Sequence, residues 1–263
     1  MKVGVIGLGL IGGSILKALS GFDFELFAVS KSSYKKAYEY TKNASDDINI
    51  VKNCDVVFVC SEMKNTLEIL KKLNNIVGEK TIVADVSSVK SFLKDKTFNY
   101  NFISSHPMAG KEKTGFEASS SDLFENAYWI IEKENEILKD LILKMKAKPI
   151  VVNLDEHDKA TALISHLPLI TSIALFNLAK ENDLAMKLAS SGFRDMTRLS
   201  AGSPDMTFDI FKYNFENIEA GIEALNTEFA RLKNMDDSEK MELFKNIQAK
   251  RLEMYDENGK NTL

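Results

Sequence analysis

Gly7-Leu8-Gly9-Leu10-Ile11-Gly12 is the stretch on which the fold reading turns. It follows the short apolar strand pattern of Lys2–Ile6 and opens onto Ser14–Leu19, where apolar residues recur at helical spacing. G-x-G-x-x-G between a strand and a helix is the context that lets a backbone approach a dinucleotide pyrophosphate. Gly7 permits the tight turn, Gly9 the close approach, and Gly12 the packing of helix on strand. Leu10 and Ile11 open the helix, where free N–H groups and a partial positive charge face the phosphates. These five residues are the first candidate cofactor contacts.

A second strand, Glu25–Val29, ends at Ser30-Lys31-Ser32-Ser33. An acid at that point would accept hydrogen bonds from the ribose hydroxyls and repel a 2′-phosphate. Three hydroxyls and a cation suit a phosphate instead, so the cofactor expectation is NADP or NAD with a lean to NADP, through Ser30 and Lys31. The alternative reading of Lys31 is a solvated loop lysine.

The alternation continues along the first half. Cys54–Cys60 reads as a strand followed by Ser61, then Asn65–Leu73 as a helix. Thr81–Ala84 reads as a strand running into Asp85-Val86-Ser87-Ser88-Val89-Lys90, where a helix is expected to start. Phe102–Ser104, Tyr128–Ile131 and Ile150–Val152 are further strands, with a helix over Glu134–Met145. Strands alternating with helices imply a mostly parallel sheet covered on both faces, with ligands beyond the carboxyl ends of its strands. The Gly7 turn, Ser61, Ser88 and His106 all fall at such ends.

His106 lies in Ser104-Ser105-His106-Pro107-Met108-Ala109-Gly110-Lys111, read as a loop. Pro107 fixes its own φ and pushes His106 into an extended conformation. A histidine on a stiffened loop downstream of a nucleotide signature is a candidate for proton transfer. The plainer alternative is a ring that bonds its own backbone.

Beyond Asn153 the texture changes to helices: Asp155–Leu167, Leu169–Ala179, Asp183–Ser190, Phe208–Leu232 and Ser238–Tyr255, with Asp155 and Ser238 as expected N-caps. The expected fold class is therefore α/β: a Rossmann-type, mostly parallel sheet domain over residues 1–153, then an all-α helical domain over 154–263. Ile164–Leu178 is apolar on more than one side, which points to a homodimer through the helical half. His157 and His166 lie nine residues apart, a spacing that does not match close zinc pairs, so no metal site is expected. Helix-cap and interior hydrogen bonding is one reading of both rings; a substrate contact from His157 is the other. The chain has four arginines, and two of them, Arg194 and Arg198, sit four apart around Asp195. Bidentate carboxylate recognition and a structural pair with Asp195 or Asp205 are both open, one arginine for each.

The 263 residues are 44% hydrophobic and 27% charged with a net charge of −4, the profile of a globular chain without a basic stripe for nucleic acid. No apolar run is expected to reach the roughly 18 residues of a membrane span, and no signal peptide is read at the start. Cys54 and Cys60 sit six residues apart on one strand, roughly 20 Å, too far for a disulfide. Buried thiols in a reducing cytoplasm are the expectation.

Together, Gly7–Ser14, Asp85–Lys90, His106–Gly110, Ser165-His166-Leu167-Pro168 and Gly192–Arg198 resemble the prephenate dehydrogenase family over nearly the whole chain. That resemblance implies oxidative decarboxylation of prephenate to 4-hydroxyphenylpyruvate, with hydride transfer to NAD(P)+, in tyrosine biosynthesis. It implies that His106 takes the proton of the substrate ring hydroxyl and that Ser88 orients both groups. It assigns Arg198 to a substrate carboxylate, with Asp195 beside it. Three departures stand out: Leu169 where the family often has a histidine, Lys111 where a hydroxyl residue is common, and the reduced glycine run Ser190-Ser191-Gly192. A cation at Lys111 suits a more highly charged substrate, which favours prephenate over arogenate. The chain's limits give the expectation of a single-function enzyme. The rival readings are an arogenate dehydrogenase, a β-hydroxyacid-type dehydrogenase and a non-catalytic NADP-binding sensor.

Overall fold

The computed structural model describes residues 1–111 and 113–255. In chain order it begins with β1 (Lys2–Ile6), α1 (Leu10–Leu19), β2 (Glu25–Val29), β3 (Asn43–Ser45), β4 (Val56–Val59), α2 (Met63–Leu73), β5 (Ile82–Asp85) and β6 (Asn101–Ile103). These six strands form one parallel sheet in the order β3-β2-β1-β4-β5-β6. A second sheet follows, built from β7 (Ser105–Pro107), β8 (Tyr128–Ile131) and β9 (Lys148–Val151) with α3 (Glu136–Lys144) between the last two. There β7 pairs antiparallel with β8, and β8 parallel with β9.

Side chains alternate across a strand, and here both faces are buried. Val3, Val5, Val56, Phe58, Ile82 and Ala84 pack with Ile15, Leu16 and Leu19 of α1 and with Leu138, Leu141 and Ile142 of α3. Their neighbours Ile6, Val57, Val59 and Val83 pack against Leu70 and Leu73 of α2 on the other face. This is why the strands read as unbroken apolar runs.

The helices are α4 (Leu154–Thr161), α5 (Leu167–Ala179), α6 (Asp183–Leu188), α7 (Ser191–Thr197), α8 (Pro204–Tyr213), α9 (Phe215–Asn234) and α10 (Asp237–Met254). A π turn, Ala162–His166, joins α4 to α5. The fold is thus a Rossmann-type parallel sheet domain followed by a helical domain. The chain divides into two compact units, residues 1–218 and 219–263. Within the first unit, Asp158 of α4 accepts from the backbone of Lys90 and Ser91, and Lys64 N donates to Asp209 of α8 at 3.2 Å. The second unit, by itself, is the remainder of α9 and the capped helix α10, with Phe229, Met241, Phe244 and Leu252 on exposed faces.

Several expectations need correction. His106 is on strand β7, not in a loop, because the chain turns at Ser104 from one sheet into the next. The segment after Lys90 makes one 3-10 turn, Ser91–Leu93, not a helix. The N-caps are Asn153 and Asp236, whose side chains accept from Glu156 N, and from Ser238 N and Glu239 N, in place of Asp155 and Ser238. Phe208–Leu232 is two helices broken at Asn214, and the first begins at Pro204 behind a Ser203 cap. The continuous helical run Leu154–Ala179 is, by length and composition alone, long and apolar enough to cross a membrane. Its buried His157, Asp158 and His166 are hydrogen-bonded inside the first unit. Cys54 and Cys60 are free thiols.

The two sheets are joined through a buried ion pair. Lys90 Nζ donates to Asp85 Oδ2 at 2.6 Å and to Ser105 O at 2.5 Å, with both charged side chains essentially without solvent contact. Removing one partner of such a pair leaves an uncompensated buried charge. Lys90→Met is therefore expected to cost about 3–5 kcal/mol in urea unfolding. Adding Asp85→Asn should return part of that loss; a single variant within about 1 kcal/mol of wild type would refute the pairing.

Candidate active site

The glycine turn has the shape its sequence demands. Gly7 has φ of 93°, and a Cβ there would lie 2.5 Å from the Cys60 carbonyl oxygen. A Cβ on Gly12 would lie 1.9 Å from Gly7 O, so both positions exclude a side chain. At Gly9 nothing lies within 4 Å of where a Cβ would be, which leaves the helix entrance open. No side chain caps α1, so its first N–H groups at Leu10 and Ile11 remain available to an anion. These residues fit a dinucleotide pyrophosphate. At the end of β2, Ser30 Oγ accepts from Ser33 N at 3.1 Å and Lys31 is exposed. Ser61 Oγ, at the end of β4, is 2.9 Å from Thr66 Oγ1 of α2.

His106 is positioned by the buried network behind it. Asp85 Oδ1 accepts from Ser104 Oγ at 3.2 Å and Ser105 N at 3.1 Å, while Ser87 N reaches Oδ2 at 2.9 Å. Ser105 Oγ donates to Asp85 O at 2.6 Å and accepts from Trp129 Nε1 at 3.2 Å. The residue next to this clamp is His106, whose ring is half-buried. Its Nδ1 is 2.9 Å from Nε2 of His157, and Nδ1 of His157 is 2.7 Å from Asp158 Oδ1. Burial, then the Lys90 cation and the rings of His157 and His166, hold the proton affinity of His106 well below the usual imidazole range. The unprotonated ring is the form a proton acceptor requires.

His166 sits at the end of the π turn. Asn214 Nδ2 donates to Asp158 O at 2.9 Å and lies 3.0 Å from His166 Nδ1, so that nitrogen accepts and Nε2 carries the proton. His166 Nε2 is buried without a hydrogen-bond partner among the described residues. Burial moves this ring down to about 4.

The structure brings together some of the residues singled out from sequence. His157 lies behind His106, and both its ring nitrogens are engaged, by His106 and Asp158. The Ser88 hydroxyl contacts Met63 Sδ at 4.0 Å and is not hydrogen-bonded to His106. Asp195 accepts from Nε of Arg194 at 3.0 Å on the surface. Arg198 lines an open cleft of about 840 Å³ with Arg194, Thr197, Phe193, Phe176 and Ile173, and none of His106, Ser88 or Gly7–Gly12 belongs to that lining. Lys111 Nζ donates to Ser120 Oγ at 3.0 Å. Asp85, Lys90 and Asp158 were not singled out: nothing local in a sequence distinguishes a fully buried lysine from a surface one.

The chain is similar in sequence and fold to known proteins. Residues 17–151 match the family described as prephenate dehydrogenase, nucleotide-binding domain, and residues 153–249 match prephenate dehydrogenase, dimerization domain. A prephenate dehydrogenase of Lactococcus lactis is 32% identical over 231 residues, covering 82% of this chain and 65% of that protein. The chain thus spans just under two thirds of that relative's length. A structure of Aquifex aeolicus prephenate dehydrogenase with hydroxyphenyl propionate and NAD+ superposes with a TM-score of 0.85 at 28% identity, covering 96% of this chain and 98% of that one. Synechocystis arogenate dehydrogenase gives 0.82 at 29% identity, covering 95% and 99%. This chain belongs to the prephenate dehydrogenase family.

Proposed function

We propose that the chain oxidises prephenate to 4-hydroxyphenylpyruvate and carbon dioxide, with His106 as the base and NAD(P)+ as the oxidant. The observation that carries this reading is the His106 ring on β7: unprotonated, backed by His157 on its Nδ1, with no group on its Nε2 among the described residues. When bound, the nicotinamide supplies the hydride acceptor. His106 Nε2 takes the proton of the ring hydroxyl as the hydride leaves the same carbon, and loss of carbon dioxide makes the ring aromatic. The site then needs one base and accurate placement of the hydride-bearing carbon.

Arg198 is the proposed carboxylate contact, since it lines a cleft walled by Phe176, Phe193 and Ile173. Asp195 supports this segment through Arg194. Lys111, exposed on the segment after β7, adds positive charge that favours prephenate over arogenate. Ser88 joins the site only if its hydroxyl turns from Met63 toward the substrate. The hydroxyls and lysine of Ser30–Ser33 favour NADP or acceptance of both cofactors. Leu163 and Ile164 in the π turn, and Leu178, Leu184 and Leu188 on the helices beyond it, are exposed large apolar residues, which supports a homodimer through this half.

Purified protein with prephenate or arogenate and each oxidised cofactor, followed by the absorbance of reduced nicotinamide, tests the whole reading. Turnover of prephenate well above arogenate is expected, with the lower KM for NADP; a strong NAD preference would end the Lys31 argument, and no turnover of either substrate would end the proposal. His106→Asn should lower kcat by about 10² to 10⁴ with little change in KM. Arg198→Gln should raise KM for prephenate by about 10-fold or more, the scale of a charged hydrogen bond; an unchanged KM removes Arg198 from binding.

A further inference from the structure

The base proposed above has a chemical difficulty. A ring whose proton affinity is depressed by burial and by the Lys90 cation is unprotonated, yet it is a poor place to leave a proton. The groups behind it resolve this.

Asp158 is the fixed point. Lys90 N donates to its Oδ1 at 2.8 Å and Oδ2 at 3.1 Å, and Ser91 N donates to Oδ2 at 2.7 Å. Backbone N–H groups only donate, so both carboxylate oxygens are acceptors. His157 Nδ1, 2.7 Å from Oδ1, must then carry a proton. In the neutral ring that leaves Nε2 of His157 as an acceptor, and the 2.9 Å contact to His106 Nδ1 requires the proton on His106. The lone pair of His106 is therefore on Nε2. His157 is 1% exposed and Asp158 2%, so neither exchanges protons with solvent except through the half-buried His106.

We propose that His157 and Asp158 are positioning residues that form a buried proton relay behind His106. This rests on His106 being the base. The substrate O–H bond breaks and an N–H bond forms at His106 Nε2; the Nδ1–H bond of His106 breaks and an N–H bond forms at Nε2 of His157. His106 ends neutral, and the positive charge rests on His157 against the Asp158 carboxylate. After product leaves, the two transfers reverse and the proton departs through His106. The other charged or titratable groups facing this pair are Lys90, itself bound to Asp85, and His166 from the π turn. Both disfavour a cation on His106, whereas Asp158 contacts only the second ring.

With three histidines, ¹⁵N-histidine NMR of the ligand-free protein can be assigned by single substitutions. At neutral pH the expected spectrum has protonated Nδ1 and bare Nε2 on both His106 and His157, and on acidification the first proton entering the pair is shared with or held by His157. A proton on Nε2 of His106, or a cation localised on His106 alone, would overturn the relay without reference to any substrate. His157→Gln, which accepts the Nδ1–H bond but not the proton, should lower kcat by about 10² with KM unchanged and the His106 tautomer retained. Wild-type kcat in that variant also overturns the relay. Failure of the base assignment has a different signature: His106→Asn at full rate with the NMR tautomers as described. The wild-type spectrum keeps the test intact if His157→Gln does not fold.

Discussion

The geometry around His106 depends on one buried carboxylate, that of Asp85. It stands at the end of β5 and holds the Lys90 ammonium, the Ser87 and Ser105 amides and the Ser104 hydroxyl. Those partners belong to the loop after β5 and to the junction where the chain leaves the parallel sheet and enters the second one. A single residue, Ser104, separates β6 from β7, so the chain changes sheets at a point with no slack. The carboxylate fixes that junction, and His106 is two residues away. A buried pair of this kind is weak evidence for stability, since an apolar replacement of similar volume is often as stable. Its value here is positional and electrostatic: it sets where β7 starts, and it places a cation where it disfavours a second positive charge on His106.

What could be read from sequence was whatever local periodicity encodes. The glycine turn, the strand patterns of β1, β2, β4 and β5 and the shift to helices after Asn153 depend on residues a few positions apart, and all three appear in the structure. The strand carrying His106 did not, because Ser105-His106-Pro107 is three residues long and earns its pairing only through β8. Likewise β3 is Asn43-Ala44-Ser45, without the apolar run that marks a buried strand. The N-caps were placed two residues late in each case, since Asp155-Glu156 and Asp237-Ser238 offer competing acceptors in the same turn. His106 and His157 are 51 positions apart, and no spacing rule joins a strand to a helix across that distance.

The π turn sets how His157 and His166 face one another. In a straight α-helix, nine residues at about 100° each put His157 and His166 on opposite faces, about 180° apart. A π turn absorbs one extra residue, which brings the two rings to about 80° and lets both face the same buried region. Asn214 holds the widened turn: its amide donates to Asp158 O and reaches His166 Nδ1. The same Asn214 breaks the helical run that sequence reads as continuous from Phe208 to Leu232. Two irregularities in separate helices are therefore bridged by one side chain, that of Asn214.

This links the helical half to His106 through hydrogen bonds. Asp158 faces the strand-end loop through Lys90 N and Ser91 N, and faces the π turn through its own carbonyl. Its side chain orders the two imidazoles and its backbone is held by the residue that widens the turn. A change that closes the π turn would rotate His166 away and disturb the carbonyl of Asp158 before it reached any group in the cleft of Arg198. The helices thus act on His106 from behind, through hydrogen bonds that fix which nitrogen carries a proton. The strand after the Rossmann-type sheet carries the His106 ring, and the first helix beyond the second sheet carries the His157 and Asp158 side chains that back it.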